Sequence, residues 1–560
     1  MTVQTYNELQ DFKKNLEKWI DEQIQSNKIN QQAYCIFLSY GDSNQRCNVW
    51  NNVDTNIKLV VKRLLSFIEK IFEKNKKLLK FIKIDFAHNV EKQPWPSVVY
   101  QVINQEHNNH FRKGISLDEN FNIAFMEQEI YGRAIIRGLR YDQANFFDEQ
   151  NLNNAIKKKY PNIQKKITLD QLQFVWTFET YGAIYEANQF VELQSGDCQN
   201  GVRVLTENKK EHLTSLVENN ANFLYQQIQE NGRFIYGYFP AFDRELKSYN
   251  TVRHCTSVYA LIESFEVKEQ KEYWEKIYKA IQYAIDTFYR EKQENVAFMI
   301  DGEKDQEIKL GSNAAAILMF TKYQELTQDD RYQKYAEAIA NGILAMIDAE
   351  GQTTHVLHYP SYEIKEKFRI VYYDGEAALA LLRLYQLNHD EKLLATVKLM
   401  FEHFIEKKYD KYHDHWLSYC TNELTKICPE EKYFQFGLNN YLKHMNFIKN
   451  RKTAYATFLE MLMSAYKMVN RLEEQGYKDL YDKAEFEKLK ELIEIRSEFQ
   501  RSGFFYPEVA MYMERPDKML NAFYVRHDRF RTRIDDQEHN LSGYVAYVNY
   551  FKDGGYLVAK

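Results

Sequence analysis

Two different periodicities run along the chain, and the change between them falls near residue 205. Before it, helical and alternating stretches are interleaved. Residues 11–24 and 59–74 repeat apolar side chains at helical spacing. Residues 33–40 (AYCIFLSY), 79–86 (LKFIKIDF) and 172–180 (LQFVWTFET) are rich in β-branched and aromatic residues and predict strands, the first ended by the turn sequence GDSN. A turn-rich stretch at 111–125 precedes a predicted helix over 127–139, and 160–201 holds the last strand and a linker. This mixture predicts an N-terminal α+β domain over residues 1–205.

From residue 206 the strand signal nearly disappears and helices come in pairs. The predicted pairs are 254–266 with 268–290, 312–326 with 330–348, 376–387 with 391–406, 415–427 with 431–448, and 454–469 with 482–499. One unpaired helix stands at each end, at 211–229 and 538–551. If these two pack together, six hairpins close into a ring. Residues 314–326 (AAAILMFTKYQEL) and 376–387 (EAALALLRLYQL) share small residues, apolar residues and a Tyr, and each leads through a short polar turn to a second helix. Repeated hairpins of this kind mean a solenoid or a toroid. An open solenoid would need capping helices that the pattern lacks.

Composition supports long helices. Only 20 Gly and 8 Pro punctuate 560 residues, whereas 42 Tyr and 36 Phe are available for wide helix interfaces or for lining a sugar or base pocket. The net charge of −5 and pI near 6.3 give no basic field for nucleic acid. The short basic stretch 74–80 (KNKKLLK) reads as a solvated helix end. Six cysteines, none in a C-x-x-C pair, suit a reducing compartment. The first residues hold no apolar signal core, and no apolar run reaches membrane-spanning length, so a soluble cytoplasmic protein is expected.

On hairpin count and pattern, residues 211–560 resemble the (α/α)6 toroid, or six-hairpin, enzymes. These include N-acylglucosamine 2-epimerases, unsaturated glucuronyl hydrolases and the helical domains of glucuronyl C5-epimerases. The resemblance implies a mainly α protein, with a C-terminal (α/α)6 toroid (206–560) after the α+β domain. It also implies a reaction site in the central funnel and a carbohydrate substrate. It brings no catalytic motif with it.

The candidate chemistry lies in the connections that lead into the predicted inner helices. The first, an aromatic loop ending in 249–256 (YNTVRHCT), offers Tyr249, Arg253 and His254 at a helix start. Packing and capping would explain them, but an Arg-His pair at the mouth of a ring favours function. The second, 371–378 (VYYDGEAA), carries Tyr372, Tyr373, Asp374 and Glu376; the two acids suit a helix N-terminus, or one of them is an acid or base. The third, 411–417 (KYHDHWL), combines His413, Asp414, His415 and Trp416, a protonatable cluster with a stacking face. His413 and His415, two apart, do not share a helix face as a two-His metal site would. The fourth, 526–539 (RHDRFRTRIDDQEH), has four Arg in eight positions, among them Arg531 and Arg533, then Asp535, Asp536 and His539. Surface ion pairs would account for this stretch, and so would an anionic ligand held by arginine forks.

No Walker A, dinucleotide-binding or G-x-S-x-G sequence is present, and the pattern calls for no cofactor. The expectation is a carbohydrate-active enzyme, of glycoside hydrolase or sugar epimerase type, acting on an anionic sugar by general acid–base catalysis. His254, Glu376, His413, His415, Asp536 and His539 are the candidate acids and bases. Arg253, Tyr249, Tyr373, Asp374, Trp416, Arg531 and Arg533 are the candidate binding residues. One alternative is a non-catalytic glycan-binding or scaffold protein. Another is a zinc enzyme, since Cys255 and Cys420 lie near His254 and His415.

Overall fold

The computed structural model describes residues 3–26, 28, 33–105, 109–130, 135–137, 145–196, 199–205, 209–302 and 306–552. The chain divides into two compact units. The first comprises residues 1–208 with 238–245 and 501–532; the second comprises 209–237, 246–500 and 533–560.

The first unit is built on an antiparallel sheet. Strand β1 (Tyr34–Gly41) pairs with β2 (Asn48–Asp54) on one side and β3 (Phe81–Pro94) on the other. Next to β3 runs β6 (Phe174–Glu186), which carries β4 (Gly114–Ser116), then β5 (Ala124–Phe125), and also pairs with β7 (Gln189–Glu192). Helices α1 (Tyr6–Gln25) and α2 (Ile57–Asn75) lay their apolar stripes on this sheet: Phe12, Leu16 and Trp19 join Val60, Leu64 and Ile68 against Ile36, Leu38, Ile82 and Ile84. Thr5 and Glu8 close a capping box on α1. A second core gathers around α3 (Trp95–Ile103) and α4 (Glu149–Lys159).

The alternation at 79–86 predicts a strand with one wet face, yet both faces are dry. Lys83 and Asp85 are buried and paired at 2.6 Å, and Tyr512, from the late stretch 501–532, reaches Ser39 at 2.7 Å and Lys83 at 3.4 Å. The helix predicted over 127–139 is described over Glu127–Ile130, 131–134 lie outside the described residues, and by 136 the chain is no longer helical. Ile136–Arg137 pairs instead with Phe146–Phe147 as a small ribbon, in keeping with the β preference of Ile135 and Ile136, and Leu139 lies outside the described residues.

The second unit is helical. Its helices are α5 (Lys209–Gln226), α6 (Thr251–Glu263), α7 (Trp274–Phe288), α8 (Leu310–Thr327), α9 (Gln333–Leu344), α10 (Tyr372–Asn388), α11 (Glu391–Glu406), α12 (His415–Ile427), α13 (Glu431–Leu442), α14 (Thr457–Glu474), α15 (Phe486–Arg501) and α16 (Ile534–Lys552). Six of them form a packing circuit. Helix α6 packs on α8, α8 on α10, α10 on α12, α12 on α14, α14 on α16, and α16 back on α6. Helices α7, α9, α11 and α13 pack on α6, α8, α10 and α12, and α5 packs on α16, as the pairing of first and last helices requires.

The circuit helices are buried on every side where their neighbours enclose them, with polar side chains such as Asn313, Thr421 and Ser464 among the apolar ones. Residues 310–323 of α8 and 374–382 of α10 are buried without a break. Small side chains bring the backbones close. A Cβ at Gly375 would meet the Trp416 Cβ at 2.7 Å and the Leu417 nitrogen at 2.9 Å, so glycine is required where α10 crosses the start of α12. The sequence pattern does not reveal one feature of this unit. Five short strands, Tyr289–Gln293, Val296–Asp301, Glu307–Lys309, Val356–His358 and Ile364–Glu366, form an antiparallel sheet within the connections. Most have only three residues, too few to show a period of two.

Candidate active site

Polar side chains from the first two turns of four circuit helices converge. Asp414 is the N-cap of α12: its Oδ2 accepts from the Leu417 amide at 3.0 Å, and its Oδ1 lies 3.2 Å from His415 Nδ1. His415 Nε2 is buried and has no protein partner. Glu460, in the first turn of α14, accepts from the Tyr419 hydroxyl at 3.2 Å and pairs with His539 Nδ1 at 3.1 Å. Glu538 lies 3.4 Å from the same nitrogen. The rings of His415 and His539 are 5.2 Å apart, edge to face.

The electrostatics divide these groups into two kinds. Burial raises the carboxyl of Glu376, in α10, to about 8, with Asp414 and Asp374 adding to the rise and His539 opposing it. Its Oε2 has no partner. Burial also raises the carboxyl of Glu538. For His539 burial disfavours charge, but Glu538, Glu460 and Asp535 outweigh it and lift the imidazole to about 10. At neutral pH the site therefore holds His539 as an imidazolium beside the neutral carboxyl of Glu376. His539 is also the most open of the group, with 24% of its side chain exposed.

Exposed aromatic rings border the same helix starts. Phe368 and Tyr372 lie at the entry to α10, Tyr412 before α12, and Phe447 and Tyr455 before α14. Tyr372 packs edge-on against His415 at 5.6 Å, and the Phe368 and Tyr412 rings stack at 6.5 Å. Among the described residues, seven of the nine exposed large apolar residues of this unit are in or beside these connections or the short strand before α10 (Ile364, Phe368, Ile370, Tyr372, Tyr412, Phe447 and Tyr455), which is more than scattered surface residues would give.

Other sequence candidates have different surroundings. His254 is fully buried; Tyr249 holds its Nδ1 at 2.7 Å and the Ala280 carbonyl its Nε2 at 2.8 Å, so both nitrogens are spent on packing. His413, in a left-handed conformation, bonds the Asn440 carbonyl at 2.7 Å and stacks on His444 at 4.6 Å. Asp374 is enclosed by Thr353 (2.5 Å) and His355 (3.1 Å), with Tyr373 beside the same His355 ring at 5.4 Å. Asp536 accepts from the Arg533 amide at 2.8 Å at the start of α16. Trp416 is 5% exposed, so its ring packs between His539 and Tyr419 and offers no open stacking face.

The arginines are engaged as well. Asp535 binds Arg253 at 2.6 Å and Arg533 at 2.8 Å, while Arg531, in the first unit, pairs with Asp528 at 2.6 Å. The expectation of an anionic ligand thus has no free fork behind it at these three positions. Burial pushes the thiols of Cys255 and Cys420 up, and among the described residues neither joins the cluster of close-lying possible metal ligands.

Sequence reasoning missed Glu460, Glu538 and Tyr419. The signal for Glu460 is present: an acid set inside the apolar run Phe458 to Met463. An acid so placed needs buried partners.

No protein-family model matches the sequence, and no curated protein matches it either. Solved structures similar to it include cellobiose 2-epimerase from Bacillus thermoamylovorans (13% identity, 61% of this chain and 100% of that one, TM-score 0.45). An alpha-1,6-mannanase from Salegentibacter sp. (11%, 60% and 98%, TM-score 0.42) and a D-mannose isomerase (12%, 51% and 87%, TM-score 0.40) are also similar. At these scores the likeness says nothing of chemistry, which rests on the residues of this chain.

Proposed function

We propose that the helical unit is an (α/α)6 toroid enzyme that acts on a carbohydrate by proton transfer, of the sugar epimerase or isomerase type. The observation that carries this reading is the facing pair His415 and His539, one with an unshared nitrogen and the other held as an imidazolium. In this reading His415 Nε2 takes a proton from the carbon beside a sugar carbonyl. His539 returns one to the same intermediate, and Glu376 supplies a hydrogen bond to the developing oxyanion. The exposed rings of Phe368, Tyr372, Tyr412 and Tyr455 suit the apolar faces of pyranose rings. A second reading, glycoside hydrolysis, is favoured by the neutral Glu376 alone, since such cleavage needs a protonated carboxyl. A binding-only role is disfavoured, because unpartnered buried polar groups are costly and a binding protein gains nothing from their protonation states.

The test is proton NMR of neutral mono- and oligosaccharides incubated with the protein in deuterated water. Epimerisation or isomerisation places solvent deuterium on the carbon next to the carbonyl. Hydrolysis gives a new reducing end with no carbon-bound deuterium. Neither signal across the panel removes the enzymatic reading.

A further inference from the structure

We infer that His415, Glu460 and His539 form a binding site for a single divalent transition-metal ion of the zinc class. This goes beyond the carbohydrate reading and stands without it; an ion here takes the His415 nitrogen and displaces the His539 proton, so the metal-bound and the acid–base forms are alternatives at the same groups. One ligand atom from each of the three residues lies within 4.8 Å of the other two. Two imidazoles and a carboxylate are a donor set for Zn2+ and its first-row neighbours. Ligands bound at about 2.0–2.2 Å from one tetrahedral ion are roughly 3.4 Å apart, so binding draws the three groups together by at most about 1.4 Å.

Three features separate this cluster from an ordinary ion-pair network. The first is His415 Nε2, nine-tenths buried and bonded to nothing in the protein. The second is the Asp414 carboxylate, 3.2 Å from His415 Nδ1 and so placed to orient that imidazole toward a metal. The Tyr419 hydroxyl holds Glu460 in the same way. The third is the density of carboxylates: Glu538 lies 3.4 Å from His539 Nδ1, on which Glu460 also closes at 3.1 Å. The 24% exposure of the His539 side chain gives an ion a way in.

The experiment uses the full-length protein, stripped with a chelator and titrated with Co2+ as the spectroscopic probe, then with Zn2+ in competition. The account expects one equivalent of Co2+ with visible bands of a low-coordinate site, displaced by one equivalent of Zn2+. His539→Ala and Glu460→Gln should each weaken binding on the order of tenfold or more, and Asp414→Asn roughly tenfold. Circular dichroism establishes that each variant is folded; if Glu460→Gln is not, His539→Ala, at the most open position, decides alone. His413→Ala and His444→Ala remove the other histidine pair and should leave the cobalt spectrum unchanged. Absence of stoichiometric binding in the wild type overturns the proposal, as does binding that survives His539→Ala or depends on His413 and His444. Sugar turnover is read separately. A stripped protein that is fully active but binds cobalt keeps the metal site, and a protein that binds no metal but turns over sugar keeps the acid–base reading.

Discussion

Glu376→Gln should make the protein more stable while disabling it. The wild-type carboxyl is buried, lacks a partner on Oε2, and titrates near 8 in place of its ordinary 4.5. The sign follows from linkage. Below pH 4.5 the group is protonated whether the chain is folded or not, and it costs nothing. As pH rises from 4.5 toward 8 the unfolded chain releases this proton and the folded chain does not, so stability falls across that window. The size is about 1 kcal/mol at pH 5 and about 3 kcal/mol at pH 7, to order of magnitude. Glutamine does not titrate. Urea unfolding of both proteins at pH 5 and pH 7 should therefore show the variant gaining about 2 kcal/mol on the wild type between the two. Activity should fall by at least an order of magnitude at both. A stability difference that does not change with pH, or one that shrinks as pH rises, would show that Glu376 is ionised in the fold and would refute the reasoning.

Other outcomes follow from the same geometry. His254→Ala should cost about 3 kcal/mol or more, because it leaves a cavity and strips both Tyr249 and Ala280 of a partner. At a temperature where the variant is folded, its kcat should stay within a few-fold of wild type. Gly311→Ala places a Cβ 2.1 Å from Glu376 Oε2 and 2.6 Å from the Tyr373 ring. A loss of about 1–3 kcal/mol in denaturant titration, together with lost activity, is expected. Replacing Tyr372 and Tyr412 by Ala should raise KM for an oligosaccharide more than for a monosaccharide, with little change in Tm, since both rings are exposed. In the first unit, Glu127 is buried against His110, Asn200 and Arg526; burial opposes its charge, but Arg526 and His110 hold its carboxyl at about 2. Glu127→Gln should therefore lose stability at pH 7, and the difference from wild type should narrow as pH falls through 4.5 toward 2.

Much of the helical unit was legible because its signal is long-range and redundant. Each circuit helix repeats small and apolar residues over three or more turns, and the pairing of 211–229 with 538–551 follows from counting. Individual site roles were less legible. A helix-start histidine looks the same in sequence whether both its nitrogens are satisfied, as in His254, or one is left open, as in His415. What separates them is a partner distant in sequence: Ala280 and Tyr249 for the first, His539 for the second. The arginines of 526–533 misled for the same reason, since Asp528 and Asp535, which hold three of the chain's predicted anion binders, look in sequence like any other surface acids. The contribution of 501–532 to the first unit leaves no local mark, because a strand face covered by Tyr512 and one covered by water share the alternation of residues 79–86.

The central claim is that His415 and His539 move the proton. It is tested most directly by following solvent deuterium into sugar with wild type, His415→Ala and His539→Ala, each shown to be folded. The account predicts incorporation by the wild type and a fall on the order of a hundredfold or more in each variant. Incorporation at the wild-type rate in His415→Ala would contradict it.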